Sequence, residues 1–149
     1  MSTSHPDPTA PETAEAAAAK ARLLIVDDEL DTRELLKYRF AREGFEVQTA
    51  RTGREALRKA RSFHPALIIL DIGLPDLDGF SVCDLLHAEP ATARTPIVLL
   101  SSHSGISVSA RAVESGIRYC FSKSTDLKVL IQAVHDILAG TLAATVVRR

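Results

Sequence analysis

The sequence has few cysteines, and this scarcity argues against two kinds of structural framework. Only Cys83 and Cys120 are present, far apart, with neither a C-x-x-C pattern nor a neighbourhood typical of a metal site. Neither a disulfide framework nor a structural zinc site is therefore expected. We interpret both residues as reduced, packed thiols, which is typical of a cytoplasmic protein.

The sequence also lacks a run of basic residues and a long apolar segment. Its formal net charge is −1, which argues against nucleic acid or an anionic membrane as the main partner. No apolar run approaches the roughly 18 residues of a membrane span, and the N-terminus lacks the basic-then-apolar pattern of a signal peptide. We therefore expect a cytoplasmic protein that contacts neither nucleic acid nor a membrane directly.

The first 20 residues differ in composition from the rest of the chain. They hold three prolines, six alanines and, after Met1, no large apolar side chain, so they bury too little surface to offset the entropy of ordering. A chain of 149 residues has room for one ordinary domain. We predict a flexible arm over residues 1–20, one domain over 21–139 and a tail over 140–149.

Short apolar runs recur through the predicted domain. The runs LLIV at 23–26, ALIIL at 66–70 and IVLL at 97–100 are continuous, which is typical of parallel strands covered on both faces. Weaker runs, FEVQT at 45–49 and RYCF at 118–121, indicate strands nearer the sheet edges. Each run is followed by a segment with helical features, so the alternation predicts an α/β fold with a parallel sheet and helices on both faces.

Several residues mark where the predicted helices begin and end. Gly44 follows a helix over about 29–43, Thr52 and Glu55 form a capping-box pattern, and Asp78 is a candidate N-cap for the third helix. The segment 104–115 is the weakest helix candidate because serine, glycine and β-branched residues fill its first half. The last helix, from residue 127, has a clear apolar face.

Polar residues stand at the ends of the predicted strands. Asp27 and Asp28 follow the first run, and Asp71, Ser101 and Lys123 follow three later ones. Carboxyl ends of parallel strands meet at one edge of a sheet, where ligands bind. Two carboxylates 4 to 5 Å apart repel by roughly 3 to 4 kcal/mol at an effective dielectric constant near 20. The three acids and one lysine carry a net −2, which a Mg²⁺ ion with oxygen ligands would balance.

This set of residues predicts phosphoryl chemistry. Asp71 is placed to attack a phosphoryl group, Lys123 to neutralise its oxygens and Ser101 to donate a hydrogen bond to it. Each residue alone also has an ordinary interpretation, as a turn residue, a helix cap or a solvated lysine. Their joint occurrence at successive strand ends favours a functional site.

The segments IVDDE, LDIGLPDLDGF, PIVLLSS and FSK resemble the receiver domain of bacterial two-component response regulators, over about residues 22–139. The resemblance implies a flavodoxin-like (βα)5 three-layer sandwich with strand order 2-1-3-4-5. It also implies phosphoryl transfer from a histidine kinase or phosphotransfer protein onto Asp71. Mg²⁺ would be held by Asp28, Asp71 and the backbone carbonyl of Gly73, with Asp27 acting largely through water.

The same resemblance assigns roles after phosphorylation. Ser101 would move toward the phosphoryl group, and Lys123 would form a salt bridge to it. The face made by the fourth helix, fifth strand and fifth helix would then be remodelled, and it would bind a downstream protein or a second copy of the chain. Output would therefore pass through protein contacts.

The sequence departs from the family pattern at two positions. An aromatic residue often stands three places before the lysine, where this chain has Cys120, with Tyr119 one residue earlier. The proline that often follows the lysine is here Ser124. His103 lies at the expected mouth of the site and is interpreted either as an influence on water access or as an exposed loop histidine.

Two other functions stay open on sequence grounds. A phosphohydrolase of the haloacid dehalogenase type needs a second acid two residues after the nucleophile, where this chain has Gly73. A receiver-like module that binds partners without phosphorylation is kept open by Cys120. We predict a signalling switch and not an enzyme. The residues after 139, GTLAATVVRR, are too few for a DNA-binding domain, which is consistent with either a stand-alone receiver, the interpretation we favour, or one domain of a longer regulator.

Overall fold

A computed structural model describes residues 21–102 and 106–144, and the side chains of these residues except 106–109. The predicted arm, the last five residues of the predicted tail (145–149) and His103 lie outside the described residues. Strands and helices alternate along the described chain, and their bounds are as follows: β1 Arg22–Val26, α1 Leu30–Arg42, β2 Glu46–Ala50, α2 Gly53–Phe63, β3 Leu67–Asp71, α3 Gly79–Ala88, β4 Ile97–Ser101, α4 Ile106–Glu114, β5 Tyr119–Ser122 and α5 Leu127–Ala139.

The strands form one parallel sheet in the order β2-β1-β3-β4-β5. This confirms the predicted flavodoxin-like (βα)5 fold. Strand β3 lies in the middle, and all five of its residues are buried, as expected for a strand covered on both faces. The edge strand β2 alternates in exposure, which explains why its apolar run was weaker in the sequence.

Helices cover both faces of the sheet and create two apolar layers. Alternate side chains of a strand point to opposite faces, so Leu24 and Ile68 pack with α2, α3 and α4, whereas Leu23 and Ile69 pack with α1 and α5. The three-layer arrangement buries the sheet and leaves its two ends accessible. The end at which the strands finish carries the polar residues singled out in the sequence.

Helix ends agree with the capping signals in the sequence. Gly44 has a φ of 97° after α1, Thr52 Oγ1 accepts a hydrogen bond from the Glu55 N–H at 3.1 Å, and Asp78 Oδ1 accepts one from the Ser81 N–H at 2.9 Å. The predicted roles of Gly44, Thr52 and Asp78 at the helix ends are confirmed. The capping box is only half formed, because the Glu55 carboxylate accepts from the N–H of Arg51 at 2.7 Å.

Cys83 and Cys120 are reduced and are not joined in a disulfide. Cys83 is fully buried between the sheet and α3, and burial, followed by the nearby charges of Asp84 and Asp78, raises its pKa to about 12. Cys120 is partly buried, and burial raises its pKa as well. The interpretation of both as packed thiols is confirmed. None of the described helices combines the length and apolar character needed to cross a membrane.

We expect Cys83 to be unreactive toward Ellman's reagent in the folded protein at pH 8. Its side chain is inaccessible, and a pKa of about 12 leaves roughly one thiolate in ten thousand at that pH. Cys120 should react slowly, and both thiols should react at once in 8 M urea. A Cys120→Ser variant isolates the Cys83 signal, and rapid labelling of that variant without denaturant would contradict the buried position of Cys83.

Candidate functional site

Three carboxylates converge where strands β1 and β3 end. Asp27 and Asp28 directly follow β1, and Asp71 is the last residue of β3. One oxygen from each lies within 4.8 Å of the others. Asp27 and Asp71 are 1% and 5% exposed, whereas Asp28 is open to solvent. The parallel pairing of β1 with β3 brings these acids together although 43 residues separate Asp28 from Asp71.

Lys123 is the cation nearest to this cluster among the described contacts. Its Nζ lies 2.9 Å from Asp27 Oδ2 and 3.3 Å from Asp71 Oδ2. It also lies 3.0 Å from Glu29 Oε1, a contact that the sequence did not predict. The Lys123 N–H donates to the Ser101 carbonyl at 2.8 Å, so the ends of β4 and β5 are joined beside the acids.

The charges at this site affect one another strongly. A pair of carboxylate oxygens 4.8 Å apart repels by about 3.5 kcal/mol at an effective dielectric constant of 20. Burial and then repulsion from Asp27 raise the pKa of Asp71, against the hydrogen bond from Gly73 and the charge of Lys123. Burial alone would lower the pKa of Lys123, but its contacts with Asp27, Glu29 and Asp71 raise it. The ammonium is therefore the protonated partner that holds the acids in place.

Hydrogen bonds that involve the backbone fix the position of Asp27. The Asp27 N–H donates to the Ala50 carbonyl at 3.0 Å, and the Glu29 N–H donates to Asp27 Oδ1 at 2.9 Å. Arg33 is 8% exposed, and its Nη1 donates to the Asp27 carbonyl at 2.9 Å. These contacts hold the turn between β1 and α1 in one conformation.

The donor set fits a hard divalent cation. Asp27 Oδ2 receives no hydrogen bond of good geometry from the described residues, although the Lys123 ammonium is 2.9 Å away. The three clustered carboxylates, the Glu29 carboxylate and the cations Lys123 and Arg33 lie at this site, so the site carries a net −2. Carboxylate oxygens with an open, solvated side suit Mg²⁺, which retains several of its waters.

Gly73 and Ser101 lie at the edges of this cluster. The Gly73 N–H donates to Asp71 Oδ1 at 3.2 Å, and the role predicted for its carbonyl stays a prediction. Ser101 ends β4 and is 5% exposed. The structure thus places each predicted site residue at the same end of the sheet, while their roles stay predictions.

Tyr119 and Cys120 lie on opposite faces of the sheet. Tyr119 packs in the layer with α1 and α5, and its hydroxyl donates to the Leu142 carbonyl at 3.3 Å. Cys120 packs in the layer with α2, α3 and α4. Tyr119 therefore does not occupy the position where the family often has an aromatic residue.

The sequence analysis missed three residues that shape this region. Glu29 pairs with Lys123, buried Arg33 holds the Asp27 carbonyl, and Asp76 accepts hydrogen bonds from the first two N–H groups of α2. In the sequence, Asp76 directly follows Pro75, a position typical of a turn residue. An indirect signal for a residue such as Asp76 was the single N-cap, Thr52. It accepts only from the Glu55 N–H, so the earlier N–H groups of α2 need other acceptors.

Comparison with known proteins agrees with this geometry. The family described as the response regulator receiver domain matches residues 23–135. Response regulator PleD of Caulobacter vibrioides is 35% identical over 117 residues, which is 78% of this chain and 26% of PleD. The probable transcriptional regulator ycf27 of Cyanophora paradoxa is 34% identical over 122 residues, 82% of this chain and 50% of that protein. The chain thus spans half or less of the length of these curated relatives.

Solved structures share the described fold. A putative response regulator from Chloroflexus aurantiacus superimposes with a TM-score of 0.76 at 32% identity, covering 80% of this chain and 98% of that one. The chemotaxis response regulator CheY4 of Vibrio cholerae gives a TM-score of 0.75 at 26% identity, covering 79% and 98%. The described fold is therefore similar to nearly the whole of two proteins of this type.

Proposed function

The chain belongs to the response regulator receiver domain family, and we propose that Asp71 is the residue that accepts the phosphoryl group. Membership of this family makes the chain a phosphorylation-activated element of two-component signalling. The observation that carries the proposal for Asp71 is its position: a carboxylate 5% exposed at the end of the central strand, 3.3 Å from the Lys123 ammonium.

The chemical step follows from this position. A carboxylate oxygen of Asp71 forms a bond to phosphorus while the P–N bond of the donor's phosphohistidine breaks, and the electron pair of that bond stays on the imidazole nitrogen. Lys123 lies close enough to neutralise charge on the phosphoryl oxygens. The Gly73 N–H orients Asp71 through its 3.2 Å hydrogen bond.

We propose that Asp27, Asp28 and Asp71, with the carbonyl of Gly73, would hold Mg²⁺. The convergence of three carboxylates within 4.8 Å supports this set. When bound, the ion supplies positive charge next to the transferring group. The residues that hold it also keep the entry to Asp71 polar and solvated, because Asp28 is exposed.

The partners follow from the family. Receivers exchange signals with histidine kinases and downstream effectors, and we propose a histidine kinase or histidine phosphotransfer protein as the donor here. We further propose that output passes to a protein partner, or to a second copy of the chain, through the face made by α4, β5 and α5. The cytoplasmic location, the division into arm, domain and tail, the stand-alone form and the lack of enzymatic activity stay predictions.

The proposal is tested by incubating the chain with acetyl phosphate and Mg²⁺ and measuring its intact mass over time. We expect a gain of one phosphoryl group that persists long enough to be trapped. Steady consumption of acetyl phosphate without an adduct would instead support a phosphohydrolase. An unchanged mass with no consumption would support a module that binds partners without phosphorylation.

We expect Ser101→Ala to accept the phosphoryl group at a near-normal level but to weaken self-association of the phosphorylated chain. A hydrogen bond from the Ser101 hydroxyl to a charged phosphoryl group contributes about 1.5 to 3 kcal/mol, which corresponds to a tenfold or greater loss of affinity. Sedimentation equilibrium with and without acetyl phosphate measures the effect. Ser62→Ala, on the exposed side of α2, is the control, and equal affinity in both variants would remove the Ser101 hydroxyl from the mechanism.

A further inference from the structure

We propose that Asp76 is a positioning residue for the acidic site: by capping the N-terminus of α2, it holds the loop after β3 in the position in which the site would bind Mg²⁺. The inference rests on the proposed function and adds a residue to it. Asp76 itself contacts none of the three clustered acids in the described hydrogen bonds or ion pairs. Its influence on them passes through the backbone.

Asp76 spans two elements that are distant in sequence. Its Oδ1 accepts from the Gly53 N–H at 2.7 Å, and its Oδ2 accepts from the Arg54 N–H at 3.0 Å. A third bond, from the Leu77 N–H to Oδ1 at 2.9 Å, fixes the orientation of the carboxylate. Partial burial acts to raise the pKa of Asp76, but the N–H groups of Gly53, Arg54 and Leu77 lower it. The charged form of Asp76 is therefore bound at the positive end of α2.

The loop that Asp76 anchors is also closed on itself. The Gly79 N–H donates to the Ile72 carbonyl at 2.8 Å, so the first and last residues of the loop are hydrogen-bonded to each other. A Cβ at Gly79 would lie 2.9 Å from the Asp71 carbonyl oxygen, which shows how tightly the start of α3 is packed against Asp71. The loop thus has little freedom of its own, and its position is determined by what it is attached to.

The contact with α2 is equally close. A Cβ at Gly53 would lie 2.9 Å from Leu77 Cβ and 2.9 Å from Val82 Cγ2, a distance that side chains do not tolerate. Glycine at this position lets the loop approach the first turn of α2, and Asp76 then bonds to the exposed N–H groups there. The two features act together to join the loop to the helix.

The β1 end of the acidic site, which carries Asp27 and Asp28, is also bonded to the segment just before α2. The Asp27 N–H donates to the carbonyl of Ala50 at 3.0 Å, and Ala50 is two residues before the N-cap of α2, Thr52. The turn between β2 and α2 therefore contacts the β1 end of the site through Ala50 and the β3 loop through Asp76. The clustered carboxylates repel one another. These contacts restrain both the β1 end and the β3 loop, and so keep the carboxylates close enough to hold one ion.

A comparison of two variants separates the positioning role of Asp76 from ordinary helix capping. Asp76→Ala loses both bonds to α2, whereas Thr52→Ala loses the other cap of the same helix end, the bond from the Glu55 N–H, and leaves the loop attached. Both variants should be less stable to urea than the unmodified chain. Only Asp76→Ala should shift the loop after β3 and weaken the binding of Mg²⁺.

We expect Mg²⁺ to bind Asp76→Ala about tenfold more weakly, the lower end of the 10- to 100-fold loss that is typical for partners of metal ligands, because Asp76 acts on the ligands only through the backbone. Isothermal titration of the full chain with MgCl₂ measures this. The Mg²⁺ affinity of Asp76→Asn should lie between those of Asp76→Ala and the unmodified chain, because the amide oxygen still accepts one of the two bonds from α2. Thr52→Ala should bind Mg²⁺ like the unmodified chain. In metal-free protein, the amide resonance of Gly73 should move in Asp76→Ala and stay in place in Thr52→Ala.

Equal Mg²⁺ affinity in Asp76→Ala and Thr52→Ala, with an unmoved Gly73 resonance, would overturn the inference and leave the proposed function intact. If Asp76→Ala does not fold, the same comparison is made with Asp76→Asn, and affinity equal to that of Thr52→Ala again overturns it. If the unmodified chain neither binds Mg²⁺ nor gains a phosphoryl group, the proposed function fails and this inference fails with it.

Discussion

Asp71→Asn is expected to abolish the phosphoryl adduct completely. The amide has nearly the shape of the carboxylate, but it carries no charge and its oxygen is a poor nucleophile toward phosphorus. The fold should persist, because Asn can still accept the 3.2 Å hydrogen bond from the Gly73 N–H. Intact mass after incubation with acetyl phosphate and Mg²⁺ measures the result, and no gain in mass should appear at any time.

The control for this experiment is a carboxylate outside the site. Asp84→Asn removes an exposed acid on α3 and should leave the mass gain unchanged. An adduct that persists in Asp71→Asn would contradict the assignment and would point to exposed Asp28, the acid of the cluster most open to solvent. Peptide mapping after reduction of the acyl phosphate with borohydride would then identify the acceptor.

Lys123→Met should destabilise the metal-free protein by about 3 kcal/mol, the lower end of the cost of removing one partner from a buried ion pair. The lower end applies because the Lys123 side chain is 17% exposed. Methionine fills similar space but leaves Asp27 and Asp71 buried without the cation that lies 2.9 and 3.3 Å from them. Urea unfolding in buffer with EDTA measures the loss.

Mg²⁺ should restore part of that stability. An ion that binds only the folded state stabilises it by about 2.7 kcal/mol at one hundred times its dissociation constant, and the ion would supply the missing positive charge. Lys37→Met, on the exposed side of α1, should change stability by no more than about 0.5 kcal/mol. If Lys123→Met unfolds at the same urea concentration as Lys37→Met, the ammonium is not what holds the acids together.

The sequence by itself determined the architecture and the end of the sheet at which the predicted site residues lie. Continuous apolar runs predict buried parallel strands wherever helices cover both faces, and the observed strands agree with them to within one residue at each end. The same regularity places whatever follows each run at one edge of the sheet. Asp27, Asp71 and Lys123 could therefore be selected without knowing how their side chains are oriented.

Only the tertiary structure decided which partners these residues have. Glu29 bonds to Lys123 across 94 positions of sequence, and Asp76 bonds to Gly53 across 23. Neither pairing has a periodic signal, because each depends on two loops approaching to about 3 Å. Strand periodicity sets which end of the sheet a residue occupies, but hydrogen bonds form or fail over a few tenths of an ångström. That distance is set by how the helices pack against the finished sheet.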